Sequence, residues 1–272
     1  MRLHFSRSVI VIIVIVVVFA VAISVAVLKL LEKVEPFVEP QAKCTVTTPQ
    51  GELELDVEQA QISATIAAVA ARRKLPERAV IIAYATGIQE SKLYNLDYGD
   101  RDSLGVFQQR PSQGWGTPKQ IMDPVYSTNK FFAALVKVKN YRKLPIADAA
   151  QAVQRSAGGY AYADHEENAR ILAAAFTGRV PKAVHCTYPP GASPSPTSTA
   201  YEADRARRDL TKALGGTATA GVKRGWLIAT WSVAHAQKYG LRKVGFDGVT
   251  WSPESETWTS DSRAGRDEVA LS

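Results

Sequence analysis

Ala79-Val80-Ile81-Ile82-Ala83-Tyr84-Ala85-Thr86-Gly87-Ile88-Gln89-Glu90-Ser91 reads as a helix that is apolar on almost every face. Such a helix runs through a core rather than along a surface. It ends in one carboxylate, Glu90, and a polar loop rich in Asp and Gly follows at once. A glutamate at the mouth of an apolar helix is poorly solvated, and the negative end of the helix dipole also disfavours its charge. Both effects favour the proton-carrying form that a general acid needs. Taken alone, the stretch reads equally well as an ordinary helix end with a solvated Glu.

The neighbouring segments are also helical. Asp56 with Gln59 marks a capping-box start, and Ile62, Ile66 and Val69 follow at helical spacing. Leu75-Pro76 closes that helix and opens the one that carries Glu90. A third helix is expected over 126–139, with Phe131, Phe132, Leu135 and Val138 on one face. Two more are expected over 146–154 and 167–176. Little reads as strand apart from a short piece at 103–108.

Composition narrows the function classes. The 272 residues carry a formal net charge of +7, a modest basic balance that suits nucleic acid, anionic lipid or an anionic wall polymer. No arginine-rich run with interleaved aromatics appears, so nucleic acid ranks last. His4, His165, His185 and His235 are scattered, and the chain has no HExxH pair, CxxC spacing, Walker loop or GxGxxG. Zinc, kinase and dinucleotide chemistry therefore lack support; no cofactor and no metal are expected.

Residues 9–28 are all apolar except Ser24, and about 20 such residues cross a bilayer core of roughly 30 Å. Arg2 and Arg7 precede the run, while Lys29 and Lys33 after it are offset by Glu32 and Glu35. That bias places the N-terminus inside and the rest outside. A cleaved signal peptide would have a shorter apolar core, so an uncleaved single-pass anchor in the cell membrane is the expectation. Cys44 and Cys186 suit an oxidising compartment and bracket the globular stretch; if joined, they staple a very long loop. After Cys186 a Pro/Ser/Thr-rich segment reads as a linker.

Beyond the linker, 201–214 reads as a charged helix and 226–235 as another, with Gly240 as a stop. Residues 244–251 read as two strands about an Asp247-Gly248 turn, and Trp258 ends a third. The tryptophans suit a core better than a ligand platform, and His235 suits a surface or satisfied role better than catalysis. The expected organisation is a cytoplasmic N-terminus (1–7), a transmembrane helix (8–31) and a spacer (32–43). A helical domain (44–187), a linker (188–200), a small α+β module (201–260) and a polar tail (261–272) follow.

Ile88-Gln89-Glu90-Ser91, a loop, then Ser103-Leu104-Gly105-Val106-Phe107-Gln108-Gln109 resembles the soluble-type lytic transglycosylases of the lysozyme-like superfamily. Their signature is a Glu-Ser pair followed by a Ser-x-Gly-x-x-Gln segment. Their third motif, Tyr-Asn-Ala-Gly, is replaced here by Val153-Gln154-Arg155-Ser156-Ala157, followed by Tyr160 and Tyr162. The pattern looks like a divergent, actinobacterial-style branch. The resemblance implies a mainly α, lysozyme-like fold and peptidoglycan as the partner and substrate.

It also implies roles. Glu90 would serve first as acid and then as base at a MurNAc–GlcNAc bond, the substrate's own N-acetyl and 6-hydroxyl groups doing the rest. Ser91, Gly105, Gln108, Gln109, Gln154 and Tyr162 would stand at the sugar, with Ser103 fixing the loop. A hydrolase would need a second carboxylate, for which Asp97, Asp100 and Asp102 are the candidates. Those three also invite a calcium reading, but Gln108 stands where an EF-hand needs Glu. Trp115 suits either stacking on a sugar ring or anchoring a loop. The rival to the enzyme is an inactive lysozyme-like module that binds or assembles wall.

Overall fold

A computed structural model of the chain describes residues 7–33, 41–154, 159–188, 199–255 and 257–272. The chain divides into two units, Met1–Pro40 and Gln41–Ser272. In the first, helix α1 (Arg7–Lys33) is long and apolar enough over Val11–Lys29 to cross a membrane. Its valines and isoleucines from Val11 to Val27, and Phe19, are exposed.

The second unit opens on a hairpin that the sequence reading left out. Strands β1 (Lys43–Thr48) and β2 (Gly51–Asp56) pair antiparallel, and β3 (Val184–Thr187) flanks β1 on its other side. Gly51-Glu52-Leu53-Glu54-Leu55-Asp56 alternates polar and apolar residues, the period-two pattern of a half-buried strand. Its helical surroundings masked that signal. The β1–β3 register sets Cys44 opposite Cys186, and a disulfide joins them.

Helix α2 (Val57–Arg72) starts where the capping box was expected, the Gln59 side chain accepting the Asp56 N–H at 2.9 Å. Its buried face combines Ile62, Ile66 and Val69 with a row of alanines, so neighbours approach closely. Helix α3 (Glu77–Ser91) is buried at every residue from Ala79 to Gly87, as its all-round apolarity requires. The Tyr84 hydroxyl inside it donates to the Ser63 carbonyl of α2 at 2.8 Å. Around this pair stand α4 (Pro118–Ile121), α5 (Pro124–Leu135), α6 (Ile146–Gln154) and α7 (Glu166–Phe176). Helix α5 stops four residues short of expectation. Lys137 and Val138 bond back three residues, to Ala134 and Leu135, so the chain tightens while Val138 still packs on the core.

Helices α8 (Thr199–Leu214), α9 (Val222–Ala234) and α10 (Ala236–Tyr239) follow, the last closed by Gly240 at φ +62°. Strands β4 (Val244–Phe246) and β5 (Val249–Trp251) form the expected hairpin, with Asp247 and Gly248 both left-handed. Strands β6 (Thr259–Ser260) and β7 (Ala270–Leu271) complete a sheet ordered β6-β5-β4-β7. Two expectations are corrected here. The segment after the linker does not stand apart: Gln41–Ser272 is one compact unit, with α8 and α9 packed on α2. A piece of about sixty residues lacks the interior to fold comfortably alone, and this one shares the core of α2. The tail is likewise not free, since β7 pairs with β4 and the Ser272 carbonyl accepts from Arg242 and Lys243.

The tryptophans are core. Trp226, Trp231 and Trp251 are buried, and the indole N–H groups of Trp251 and Trp258 donate to the β3 carbonyls of Cys186 and Val184 at 3.2 and 3.0 Å. Gly225 of α9 lets Phe246 lie against the helix; a Cβ there would come within 1.9 Å of its ring. His235, expected at the surface or satisfied, is 5% exposed and stacks on Trp231, with centroids 4.0 Å apart. Its Nδ1–H donates to the Trp231 carbonyl at 2.9 Å, and burial pushes its pKa down to about 3.

Two outcomes are expected. Replacing both Cys44 and Cys186 by Ser, which frees a loop with a sequence separation of 142, lowers the unfolding free energy by about 3–5 kcal/mol. Urea melts of the two proteins measure it, and coincident midpoints would refute it. His235 is held neutral in the fold but protonates below about pH 6.5 when unfolded. Its contribution is therefore complete above that pH and is lost as pH falls toward about 3. His235→Phe should flatten the pH dependence of the midpoint in that window; an unchanged slope would contradict it.

Candidate active site

Glu90 occupies the last turn of α3. The helix ends there because Lys92 and Leu93 turn left-handed, at φ +55° and +64°. Their N–H groups return to the Ile88 and Gly87 carbonyls at 2.9 and 3.0 Å, satisfying groups that a helix end otherwise leaves open. Leu93 is thereby buried, and the reversal leaves Glu90 half-buried at the edge of the core. The Tyr162 hydroxyl donates to Glu90 Oε1 at 2.6 Å. Beside it, His165 Nε2 lies 2.8 Å from Gln89 Oε1; an amide oxygen only accepts, so that nitrogen carries the hydrogen. The 3-10 segment Gly159–His165 is thus pinned to two consecutive residues at the end of α3.

Ser91 faces the other way. It is buried, and its hydroxyl reaches the Val106 carbonyl at 2.8 Å and the Gly87 carbonyl at 3.1 Å. One side chain therefore ties the helix end to the second motif. In that motif Gly105 has φ +75°, and a Cβ on it would press to 3.0 Å from the Ile121 carbonyl. Its N–H donates to the Leu96 carbonyl at 2.7 Å. The strand expected at 103–108 is reduced to a single bridge, in which Leu104 and Gln109 exchange backbone bonds of 3.0 and 2.9 Å. Phe107 stacks on Phe131 of α5, with centroids 4.4 Å apart, and its carbonyl accepts from the Gln154 amide at 2.7 Å.

The structure therefore brings all three motifs together, but it redistributes their tasks. Gln109 is 1% exposed and donates to the Ser127 carbonyl at 3.2 Å, so it braces the loop from inside. Ser91, Ser103 and Gly105 are buried too and act as scaffold. Tyr162, expected as an aromatic contact, has its ring buried and its hydroxyl turned to Glu90. Gln108 is half-buried at φ +45°, its amide donating to the Tyr98 and Gly105 carbonyls. Arg155, Ser156 and Ala157 lie outside the described residues.

Of the loop acids, Asp97 and Asp100 are exposed. Asp102 accepts from Arg110 at 2.7 Å and from the Ser112 N–H at 2.8 Å, and those bonds hold its carboxyl well below the usual carboxylate range. It is a loop staple. Trp115 is half-buried and lines a cleft of 600 Å³ with Lys130, Lys137 and Gln154. That cleft does not include Glu90; Gln154, which walls it and also holds Phe107, links it to the motif loop. The sequence reading missed the His165–Gln89 contact and the two lysines. The absence of acidic residues from 124 to 147 was the available signal for the lysines.

No protein-family model matches this chain, and no curated protein matches it.

Ser91→Ala and Gln154→Ala each release one end of the Val106–Phe107 segment and should cost about 1–2 kcal/mol apiece. Because they hold adjacent residues, the double variant should lose less than the sum. Urea denaturation of the four proteins tests this, and strict additivity would show that the two bonds act independently.

Proposed function

We propose that this protein is a membrane-anchored enzyme that cleaves peptidoglycan glycan strands, with Glu90 as its single acid–base group, in the manner of a lytic transglycosylase. The observation that carries the reading is the setting of Glu90. It is a half-buried carboxylate at the end of a helix buried from Ala79 to Gly87, held by the Tyr162 hydroxyl and flanked by the motif loop that Ser91 anchors. Helix α1 would hold the second unit at the outer face of the cell membrane, which agrees with the disulfide and with Arg2 and Arg7 before the apolar run.

The chemistry balances without water. Protonated Glu90 gives its proton to the glycosidic oxygen as the C1–O4 bond breaks, and the substrate's N-acetyl oxygen supports the positive charge at C1. The Glu90 carboxylate then takes the proton of the C6 hydroxyl while O6 bonds to C1, leaving a 1,6-anhydro sugar and a regenerated acid. A second carboxylate is not needed, which accords with Asp102 being committed to Arg110 and Ser112. Tyr162 orients the carboxylate for both transfers.

One observation favours a second reading, a wall-binding module without turnover. The amide of Gln154, in the place of the usual Asn, is engaged with the Phe107 carbonyl and is not offered to a sugar.

Full-length protein in non-ionic detergent, incubated with purified peptidoglycan, should release fragments ending in 1,6-anhydro-MurNAc, detected by mass spectrometry. Glu90→Gln should reduce release by at least about 100-fold, the scale of general acid catalysis. Tyr162→Phe should lower it by roughly tenfold, the effect of one hydrogen bond to a charged group. Reducing ends instead of anhydro ends would point to a hydrolase, and wall binding without any cleavage would support the second reading.

A further inference from the structure

Helix α9 carries two buried polar groups that the fold itself leaves unanswered. Trp231 is 2% exposed, and its indole N–H has no hydrogen-bond partner among the described residues. His235, 5% exposed, stacks on it with the ring planes 18° apart. The His235 Nδ1–H donates to the Trp231 carbonyl, so Nε2 carries a lone pair. That nitrogen also has no partner among the described residues, and burial keeps the ring neutral. Both side chains line one cavity of about 160 Å³, which α2, the start of α5, α8 and the end of α9 enclose between them. The space is roughly ten times the ~15 Å³ that one water requires. Buried polar groups are normally paired, and a donor beside an acceptor on a cavity wall calls for a ligand that pairs both.

The rest of the lining defines that ligand. Its charged groups are already matched: Lys212 pairs with Asp123 at 2.7 Å and Lys238 with Asp209 at 3.8 Å. Asp209 also accepts from the Tyr239 hydroxyl at 2.5 Å. An ion entering the cavity would give up water without meeting a free counter-charge. Ile62, Val125 and Ala213 offer contacts to a short apolar body. The Gln61 amide, without a partner among the described residues, adds a further donor and acceptor. Indole, imidazole and amide together match a group with one accepting oxygen and two hydrogens. We infer that this cavity is a binding site for a small uncharged carboxamide. Glu90 and the motif loop do not line it, so the inference is independent of the reading of Glu90.

The test uses full-length protein in non-ionic detergent, with its five tryptophans labelled at the indole nitrogen and followed by NMR. The Trp231 and Trp226 signals are assigned from their Phe variants. Four probes share one apolar body: isobutyramide, isobutanol, isobutyrate and isobutylammonium. Isobutyramide should move the Trp231 indole proton downfield and saturate. Trp226, whose indole N–H is also without a partner among the described residues but does not line this cavity, should stay in place. Isobutyrate and isobutylammonium, which bring a charge, should bind at least roughly tenfold more weakly, and so should isobutanol, which lacks the second hydrogen. Ala213→Leu fills the cavity and His235→Phe removes the acceptor; each should weaken isobutyramide by about tenfold or more. The unmoved signals of the other tryptophans report that each variant is folded. A Trp231 signal that no probe moves would mean a cavity filled by water only and overturns the inference. So does a shift that grows without saturating, equal binding of all four probes, or full binding retained in a folded variant of either kind.

Discussion

A helix that is apolar on every face must be enclosed on every face, and that requirement on α3 organises the second unit. Nine consecutive residues of α3, from Ala79 to Gly87, are buried, so no side of it is free to meet water. Helix α2 covers one flank with alanines small enough for close approach, and α6 and α7 cover others. Polarity returns only where the helix ends, and Glu90 is the first acidic residue after that buried run. Its half-buried position follows from the burial of α3 rather than from any separate device.

The same logic explains why the loop after α3 is so firmly held. A reversal made by two left-handed non-glycine residues, Lys92 and Leu93, is strained and persists only if its surroundings fix it. Leu93 is buried, Ser91 reaches the Val106 carbonyl, and Gly105 fits against the Ile121 carbonyl. One bond, one buried side chain and one close backbone approach thus set the path of the loop whatever the exposed side chains do. The polar residues of the motifs serve first as internal fastenings, and few remain to face a ligand.

Legibility from sequence divides along physical lines. Helix α6 was readable to its ends and α3 nearly so, because apolar spacing and punctuation agree there; the Asp247-Gly248 hairpin was readable because only a few residue types accept two left-handed positions in a row. The β1–β2 hairpin escaped, although Glu52, Leu53, Glu54 and Leu55 alternate plainly, because a short strand beside long helices is a weak local signal. The separate C-terminal module was misread because composition marks a linker but does not reveal that α9 packs on α2. Within the site, the order and spacing of the motifs gave the neighbourhood. They did not distinguish a partly exposed residue from a sealed one: Gln108 and Gln109 are adjacent and chemically alike, yet the second is closed in against Ser127. Pairs such as Gln89 with His165 depend on chain paths 76 residues apart and left no trace in spacing.

The two indoles that meet β3 have a consequence for how the protein avoids self-association. Strand β3 lies at the margin of its sheet, and its outward carbonyls at Val184 and Cys186 would otherwise stand ready to pair with a strand from another molecule. Trp258 and Trp251 occupy both. The opposite margin, β2, carries Glu52 and Glu54, the first accepting from the Thr47 hydroxyl at 3.3 Å and the second paired with Lys43 at 2.5 Å. The two borders of one sheet thus differ, with bulky donors on one side and charged, partnered side chains on the other. Sequence more than sixty residues downstream keeps the disulfide-bearing strand from becoming a template for aggregation.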